Sequence, residues 1–256
     1  AAKDASVVFT ATANTGYKFD HWEVVSGGVD IDSTKTNNPI TVTMPGEALT
    51  LKAHFKPITY TVIFHRGNAD GGDMSDQVMT YGVAAHLSKN EFYYMGDPTF
   101  VGWTTDDKDD TPEYGDYQTV KNLAATQDAK VNLYAIWRNE YVYAASYPID
   151  AQCYDGGTVS NAFEFWNTWM GEYPIGSTAT ANEGYFFKGW KDTAGYFITK
   201  SKEYEYDLSD GGKTITPSFI PNVENPDEFK AIYTAVFLPL VTVSGVSMNK
   251  TDFAYG

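Results

Sequence analysis

A thirteen-residue phrase occurs twice in this chain, and no other feature limits the possible folds as much. Residues 10–22 read Thr-Ala-Thr-Ala-Asn-Thr-Gly-Tyr-Lys-Phe-Asp-His-Trp and residues 178–190 read Thr-Ala-Thr-Ala-Asn-Glu-Gly-Tyr-Phe-Phe-Lys-Gly-Trp, nine of the thirteen positions being identical. A looser copy, Gly96-Asp97-Pro98-Thr99-Phe100-Val101-Gly102-Trp103, lies between them. Each copy is followed by an alternating apolar run that closes on an aromatic: Phe55, Trp137 and Phe237. Three tandem repeats are therefore expected, each of roughly 55 to 95 residues. An element reused for its scaffold rarely carries a single catalytic site.

At that size a core is marginal unless something reinforces it. Cys153 is the only cysteine, so no intrachain disulfide can help. The reinforcement on offer is aromatic: 19 Tyr, 15 Phe and 6 Trp. Each buried ring removes roughly 150 to 250 Å² from water, an upper bound of about 4 to 6 kcal/mol before entropy is subtracted. Trp22, Trp103 and Trp190, with Phe55, Trp137 and Phe237, are accordingly read as the repeated core, because recurrent apolar positions mark what each unit must bury.

Period-two alternation gives the strands. In the first repeat it marks Val7, Phe9, Ala11 and Ala13, then Ile40, Val42 and Met44, then Leu49, Leu51, Ala53 and Phe55, with a turn at Met44-Pro45-Gly46-Glu47. The second opens at Tyr60, Val62 and Phe64, turns through residues 68–73, continues over 77–81, and closes over 131–137. The third opens over 141–154, turns at Asp155-Gly156-Gly157, and closes over 229–237. Trp190 precedes Phe237 by 47 residues, against 34 from Trp103 to Trp137 and 33 from Trp22 to Phe55, which places an inserted surface loop at 209–227.

The second repeat, through Asp70-Gly71-Gly72, Tyr81-Gly82, Phe100-Val101-Gly102-Trp103 and Val131-Asn132-Leu133-Tyr134-Ala135-Ile136-Trp137, resembles the Listeria-Bacteroides repeat, the B-repeat of internalin-type surface proteins. The first and third look like its divergent relatives, sharing Gly-Tyr-x-Phe-x-x-Trp and, in the third, Gly156-Gly157-Thr158-Val159-Ser160. Val246-Ser247-Met248-Asn249-Lys250-Thr251 is similar to the opening strand of a group 2 bacterial immunoglobulin-like domain. The resemblance implies a mainly β chain of three tandem β-grasp-like modules in an elongated arrangement, carried by an exported bacterial surface protein and supplying no catalytic residues. The expected division is 1–57, a divergent module lacking its first strand; 58–139, the Listeria-Bacteroides repeat; 140–238, a divergent module with an insertion; and 239–256, the start of an immunoglobulin-like domain. A piece of a longer protein is expected, extracellular or attached to the cell wall, as a spacer stalk or adhesin.

With 33 acidic against 18 basic residues, the net charge of −15 opposes binding to nucleic acid or anionic lipid. No apolar run approaches the roughly 20 residues that span a bilayer, so no membrane insertion is expected. The four histidines, His21, His54, His65 and His86, lack zinc-ligand spacing, and no nucleophile elbow or phosphate-binding loop is present. No enzyme activity, cofactor or metal site is expected, and a monomer is. The acidic run with Asp106, Asp107, Asp109, Asp110, Glu113 and Asp116 does not match the calcium-binding EF-hand spacing and reads as a solvated turn, as do Asn68, Asp70 and Asp73. Trp166 and Trp169 occur only in the third repeat. They are either a cap on its larger core or an aromatic platform for a host or matrix protein or a glycan.

Overall fold

The computed structural model describes residues 1–96, 98–138, 142–198, 204–206, 213–217 and 230–241. The immunoglobulin-like tail, the junction residues Asn139 and Glu140, and most of the 209–227 stretch lie outside the described residues. The chain is mainly β. The first repeat holds β1 (Ser6–Phe9), β2 (Tyr17–Ser26), β3 (Ile40–Thr43) and β4 (Thr50–Pro57). The second holds β5 (Thr59–His65), β6 (Gln77–Thr80), β7 (Ala85–His86), β8 (Thr99–Thr104), β9 (Thr119–Val120) and β10 (Lys130–Arg138). The third holds β11 (Val142–Ser146), a 3-10 turn at Ala151–Gly156, β12 (Gly157–Val159) and β13 (Phe163–Asn167). A second 3-10 turn, Thr168–Met170, leads to β14 (Ser177–Ala181), β15 (Tyr185–Lys191), β16 (Tyr204–Tyr206), β17 (Thr214–Pro217), β18 (Lys230–Ile232) and β19 (Thr234–Pro239).

One antiparallel ribbon recurs: β2 with β4, β8 with β10, and β15 with β19. In each, the tryptophan faces an alanine across the ribbon: Trp22 opposite Ala53, Trp103 opposite Ala135, Trp190 opposite Ala235. The small partner leaves room for the indole. Three residues before each tryptophan, a phenylalanine pairs with the closing aromatic: Phe19 with Phe55, Phe100 with Trp137, Phe187 with Phe237. A spacing of three on one strand thus meets a spacing of two on the other. The mismatch is absorbed by one extra residue, Asp20, Val101 or Lys188, which bulges out of the ladder. Without the bulge, strict alternation would send Phe and Trp to opposite faces. With it they meet, at ring-centroid distances of 5.4, 4.8 and 5.7 Å.

A short second pairing recurs beside the ribbon, β1 with β3, β7 with β9, and β14 with β17. It fixes the indoles from the other side: Trp22 Nε1 donates to the Asn37 carbonyl (3.0 Å) and Trp190 Nε1 to the Lys213 carbonyl (2.9 Å). Trp103 Nε1 is buried with no partner among the described residues. Because Ile215 of β17 is fully buried, residues 214–217 belong to this shared pairing and are not inserted surface loop. A further difference lies at 151–156, where the alternating run is broken by a 3-10 turn that Asp150 caps through Gln152 N (3.1 Å).

In the second repeat the opening strand extends the ribbon into a sheet, β5 lying parallel to β10 and antiparallel to β6; in the third, β11 lies parallel to β18, just ahead of the ribbon strand β19, and antiparallel to β13. Three separate apolar clusters result, one per repeat, around Trp22, Trp103 and Trp190. The first is the thinnest, its buried members being Trp22, Ile31, Ile40 and Val42. The closing aromatics differ accordingly. Phe237 is fully buried, since Gly156 packs on its Cβ and Gly157 on its ring so closely that a Cβ on either glycine would lie within 3.0 Å of it. Phe55, placed in the core by its repeat position, is 39% exposed, because no such segment covers it in the first repeat.

A fourth cluster crosses between repeats. Val101, the bulged residue of β8, and Ile136 of β10 are buried with Val142 of β11. The same two repeats are also joined where Lys121 pairs with Asp155 (3.0 Å), the Thr119 hydroxyl donates to the Ile149 carbonyl, and Lys89 Nζ donates to the Thr193 carbonyl (3.3 Å).

Candidate interaction surfaces

Among the described residues of the third repeat, the largest run of exposed apolar side chains lies between β13 and β14. This connection runs over nine residues, 168–176, where its counterpart between β6 and β7 runs over four, 81–84. It carries Trp169, Met170, Tyr173 and Ile175, all 74 to 80% exposed. Its backbone is nonetheless tied down. The Asn167 side chain accepts from Trp169 N (3.0 Å) and Met170 N (3.3 Å), and Gly171 closes the turn in the left-handed region at φ 76°. Glu172 returns the bond, its carboxylate accepting from Asn167 N (2.9 Å) while its own N–H donates to the Asn167 carbonyl (3.0 Å). At the far end Glu164 accepts from Ile175 N (2.8 Å) and Gly176 N (2.9 Å) and from the Tyr147 hydroxyl. Burial first, and then the Glu164 charge, hold that phenol far above the ordinary tyrosine range, so it remains a donor.

A restrained backbone presenting four large apolar side chains is a different object from a floppy loop. The ordering entropy of the backbone is already spent before any partner arrives.

Trp166 and Trp169, which could have formed one platform, part company. Trp166 is buried against Tyr143, stacked at 5.9 Å, whereas Trp169, three residues on, is exposed. A joint indole platform does not form, because β13 turns Trp166 inward and the following 3-10 turn swings Trp169 out. Met170, Tyr173 and Ile175 take the place beside Trp169. Comparing the lengths of the copies along this stretch would have singled them out. The six repeat aromatics sit as described above: Trp22, Trp103, Trp190 and Phe237 buried, Trp137 half-buried, Phe55 partly exposed.

The acidic loop spends three of its six carboxylates on its own backbone. Asp106 accepts from Lys108 N (3.0 Å), Asp109 from Thr111 N (2.8 Å), and Glu113 from the Thr105 N–H (2.9 Å) and hydroxyl. Those bonds from Thr105, joined by the Thr104 hydroxyl, hold Glu113 below the ordinary carboxylate range. Asp70 likewise accepts from Met95 N (2.7 Å). Among the described residues no group of three or more His, Cys, Asp and Glu is placed to hold a metal ion. The histidines stack on neighbouring rings: His21 on His54 at 4.5 Å, His65 on Tyr134 at 4.6 Å, and His86 on Tyr117 at 4.2 Å. Cys153 is half-buried, its sulfur accepts from Phe237 N (3.2 Å), and burial raises its thiol pKa, the opposite of what a nucleophile needs.

The recurring ribbon agrees with a family comparison. Residues 1–59 and 147–223, together just over half of the chain, match the divergent InlB B-repeat domain. The chain belongs to that family. InlB B-repeats are typical of bacterial surface proteins, and the two matched stretches are the two that share the thirteen-residue phrase. No curated protein and no solved structure matches the chain. Among the described residues no helix is long and apolar enough to cross a membrane.

Proposed function

We propose that this InlB B-repeat chain is a non-catalytic, adhesive stalk segment of an extracellular or cell-wall-attached protein, with its adhesive element on the third repeat. The observation that carries the reading is the 168–176 connection, whose four exposed apolar side chains stand on a backbone held by Glu164, Asn167 and Glu172. Trp, Tyr and Met are the residue types enriched at protein interfaces. From 139 to 187 the sequence contains six acidic residues and no Lys or Arg. The partner that fits is therefore a protein with an apolar pocket and a basic rim, since complementary charge speeds encounter and rejects wrong partners.

The experiment is surface plasmon resonance of the intact chain over immobilised fibronectin, laminin, collagen and fibrinogen, repeated with a Trp169→Ala, Tyr173→Ala variant. Hot-spot losses of about 2 kcal/mol or more predict at least about a thirtyfold drop in affinity with unchanged far-ultraviolet circular dichroism. Binding that survives the double substitution would remove the adhesive element from this loop. A pure spacer is the second reading, favoured by the run of β4 into β5 with only Ile58 between them. It would be marked by no binding at all together with an elongated small-angle scattering profile.

A further inference from the structure

Where the second and third repeats meet runs a groove of about 580 Å³, within the span of roughly 300 to 1,000 Å³ typical of small-molecule sites. It is composite. Gln118 comes from the second repeat, while Tyr154, Asp155, Thr158 and Asn182 come from the third, Tyr154 and Asp155 being supplied by the 3-10 turn at Ala151–Gly156. We propose that this groove binds a short neutral saccharide.

The chemistry of the lining carries the argument. Among the described residues that line it the one charged side chain, Asp155, is matched by Lys121 at 3.0 Å, so this lining is close to neutral in a chain of net charge −15. An anionic ligand such as a nucleotide or a sulfated glycan would need an excess of cations that the groove does not offer. A neutral polyol needs donors and acceptors spread around a concave surface, with an aromatic face for its C–H groups. Three such groups are unspent. Gln118 uses its Oε1 on Gly115 N (2.8 Å) and leaves Nε2 over, and neither the Tyr154 hydroxyl nor the Thr158 hydroxyl bonds to any described residue. Asn182 donates to the Asp155 carbonyl (2.9 Å), which orients its amide oxygen and fixes the rim. An extended peptide is a poorer fit. Strand addition needs a long free edge, and β12, the edge strand here, is only three residues.

The proposal predicts that the intact chain, probed on an array carrying neutral, sialylated and sulfated glycans, binds among the neutral ones only. Titration of the best free glycan should then show about a tenfold or greater loss for Tyr154→Ala. A loss of about threefold to tenfold should follow Thr158→Val, which keeps shape and β-propensity and removes one hydroxyl. Trp169→Ala should change nothing, which separates this site from the adhesive loop. Thermal unfolding of each variant checks the fold. Absence of neutral-glycan binding, preference for acidic glycans, or affinity unchanged in Thr158→Val and Tyr154→Ala would each overturn the proposal.

Discussion

Between the first and second repeats, contact is made by Ile58 and a pair of tyrosines. Between the second and third it is made by a shared apolar cluster and a separate ion pair. At the first junction Ile58 N donates to the Gly16 carbonyl (2.9 Å), Tyr81 N to the Ile58 carbonyl (3.0 Å), and Tyr17 meets Tyr81 edge-on at 6.0 Å. Gly16 sits at φ 80°, and a Cβ there would lie 2.2 Å from the Tyr81 ring, so only glycine serves. Its counterpart Gly184, at φ 81°, has nothing within 4 Å of its Cβ position. The conformation belongs to the repeat, and the close approach belongs to the junction alone. At the second junction the bulged residue decides. Asp20 points outward in the first repeat and pairs with Lys56 (2.6 Å), whereas Val101 in the second is covered by Val142. One ribbon therefore ends in a solvated charged face or in half of an interface, according to a single side chain.

That contrast can be broken. The largest effect should come from the cores. Trp103→Ala should cost about 3 to 5 kcal/mol and lower the protection of both the second and third repeats, while Trp22→Ala should melt the first repeat and leave the others unchanged. Hydrogen exchange followed by mass spectrometry, resolved by repeat, checks this. Equal loss in all three repeats after Trp22→Ala would mean that the junctions are alike. Next, Val142→Asp places a carboxylate in the shared cluster and should destabilise the second and third repeats by about 3 kcal/mol, splitting their urea unfolding into two steps. Tyr81→Ala should cost only about 1 to 2 kcal/mol and leave that coupling intact.

The indoles offer a finer comparison. Trp190→Phe and Trp22→Phe each remove a hydrogen bond to a backbone carbonyl, whereas Trp103→Phe removes an N–H that has no partner among the described residues. The Trp103 change should therefore be milder by about 1 kcal/mol, measured by urea denaturation.

The smallest effect should be acid sensitivity confined to the second junction. Burial holds the His86 imidazole below its ordinary value of 6.5, with Lys191 and Lys89 pushing the same way against the Tyr117 carbonyl and Asp150. The unfolded chain takes up the proton first as pH falls. Stability from neutral His86 is thus complete above about 6.5 and is lost below it, down toward the folded-state value. Across that window Asp20, bonded by Lys56 and His21, and Glu23, bonded by His54, stay ionised, both lying below the ordinary carboxylate range. Melting curves at pH 7.5 and 5.5 should show a drop for the second and third repeats that His86→Gln abolishes. A drop confined to the first repeat would reverse the assignment.

Much of the ribbon is legible in the sequence, because a strand's alternation and its repetition are both local. Phe-x-x-Trp and Ala-x-aromatic can be read from the chain, and their unequal spacing already implies the bulge. The candidate site is less legible. Trp169 is conspicuous by type, but Met170, Tyr173 and Ile175 emerge only when the β13–β14 connection is measured against its shorter counterpart. Trp166, three residues from Trp169, looks the same in one dimension and is buried in three. The stretch 141–154 alternates well enough to read as one strand, yet Asp150 caps a 3-10 turn within it.

By itself the sequence determined a mainly β chain built on a repeated Trp-bearing ribbon, an acidic surface, and membership among InlB B-repeats, since periodicity, charge and motif need no knowledge of neighbours. The tertiary structure decided what covers each face. Alternation says that Val101 and Ile136 lie on faces of a strand, but whether a face meets water or Val142 depends on where a strand more than thirty residues away from Val101 packs. Burial is a property of that meeting and is written in no single segment of the chain.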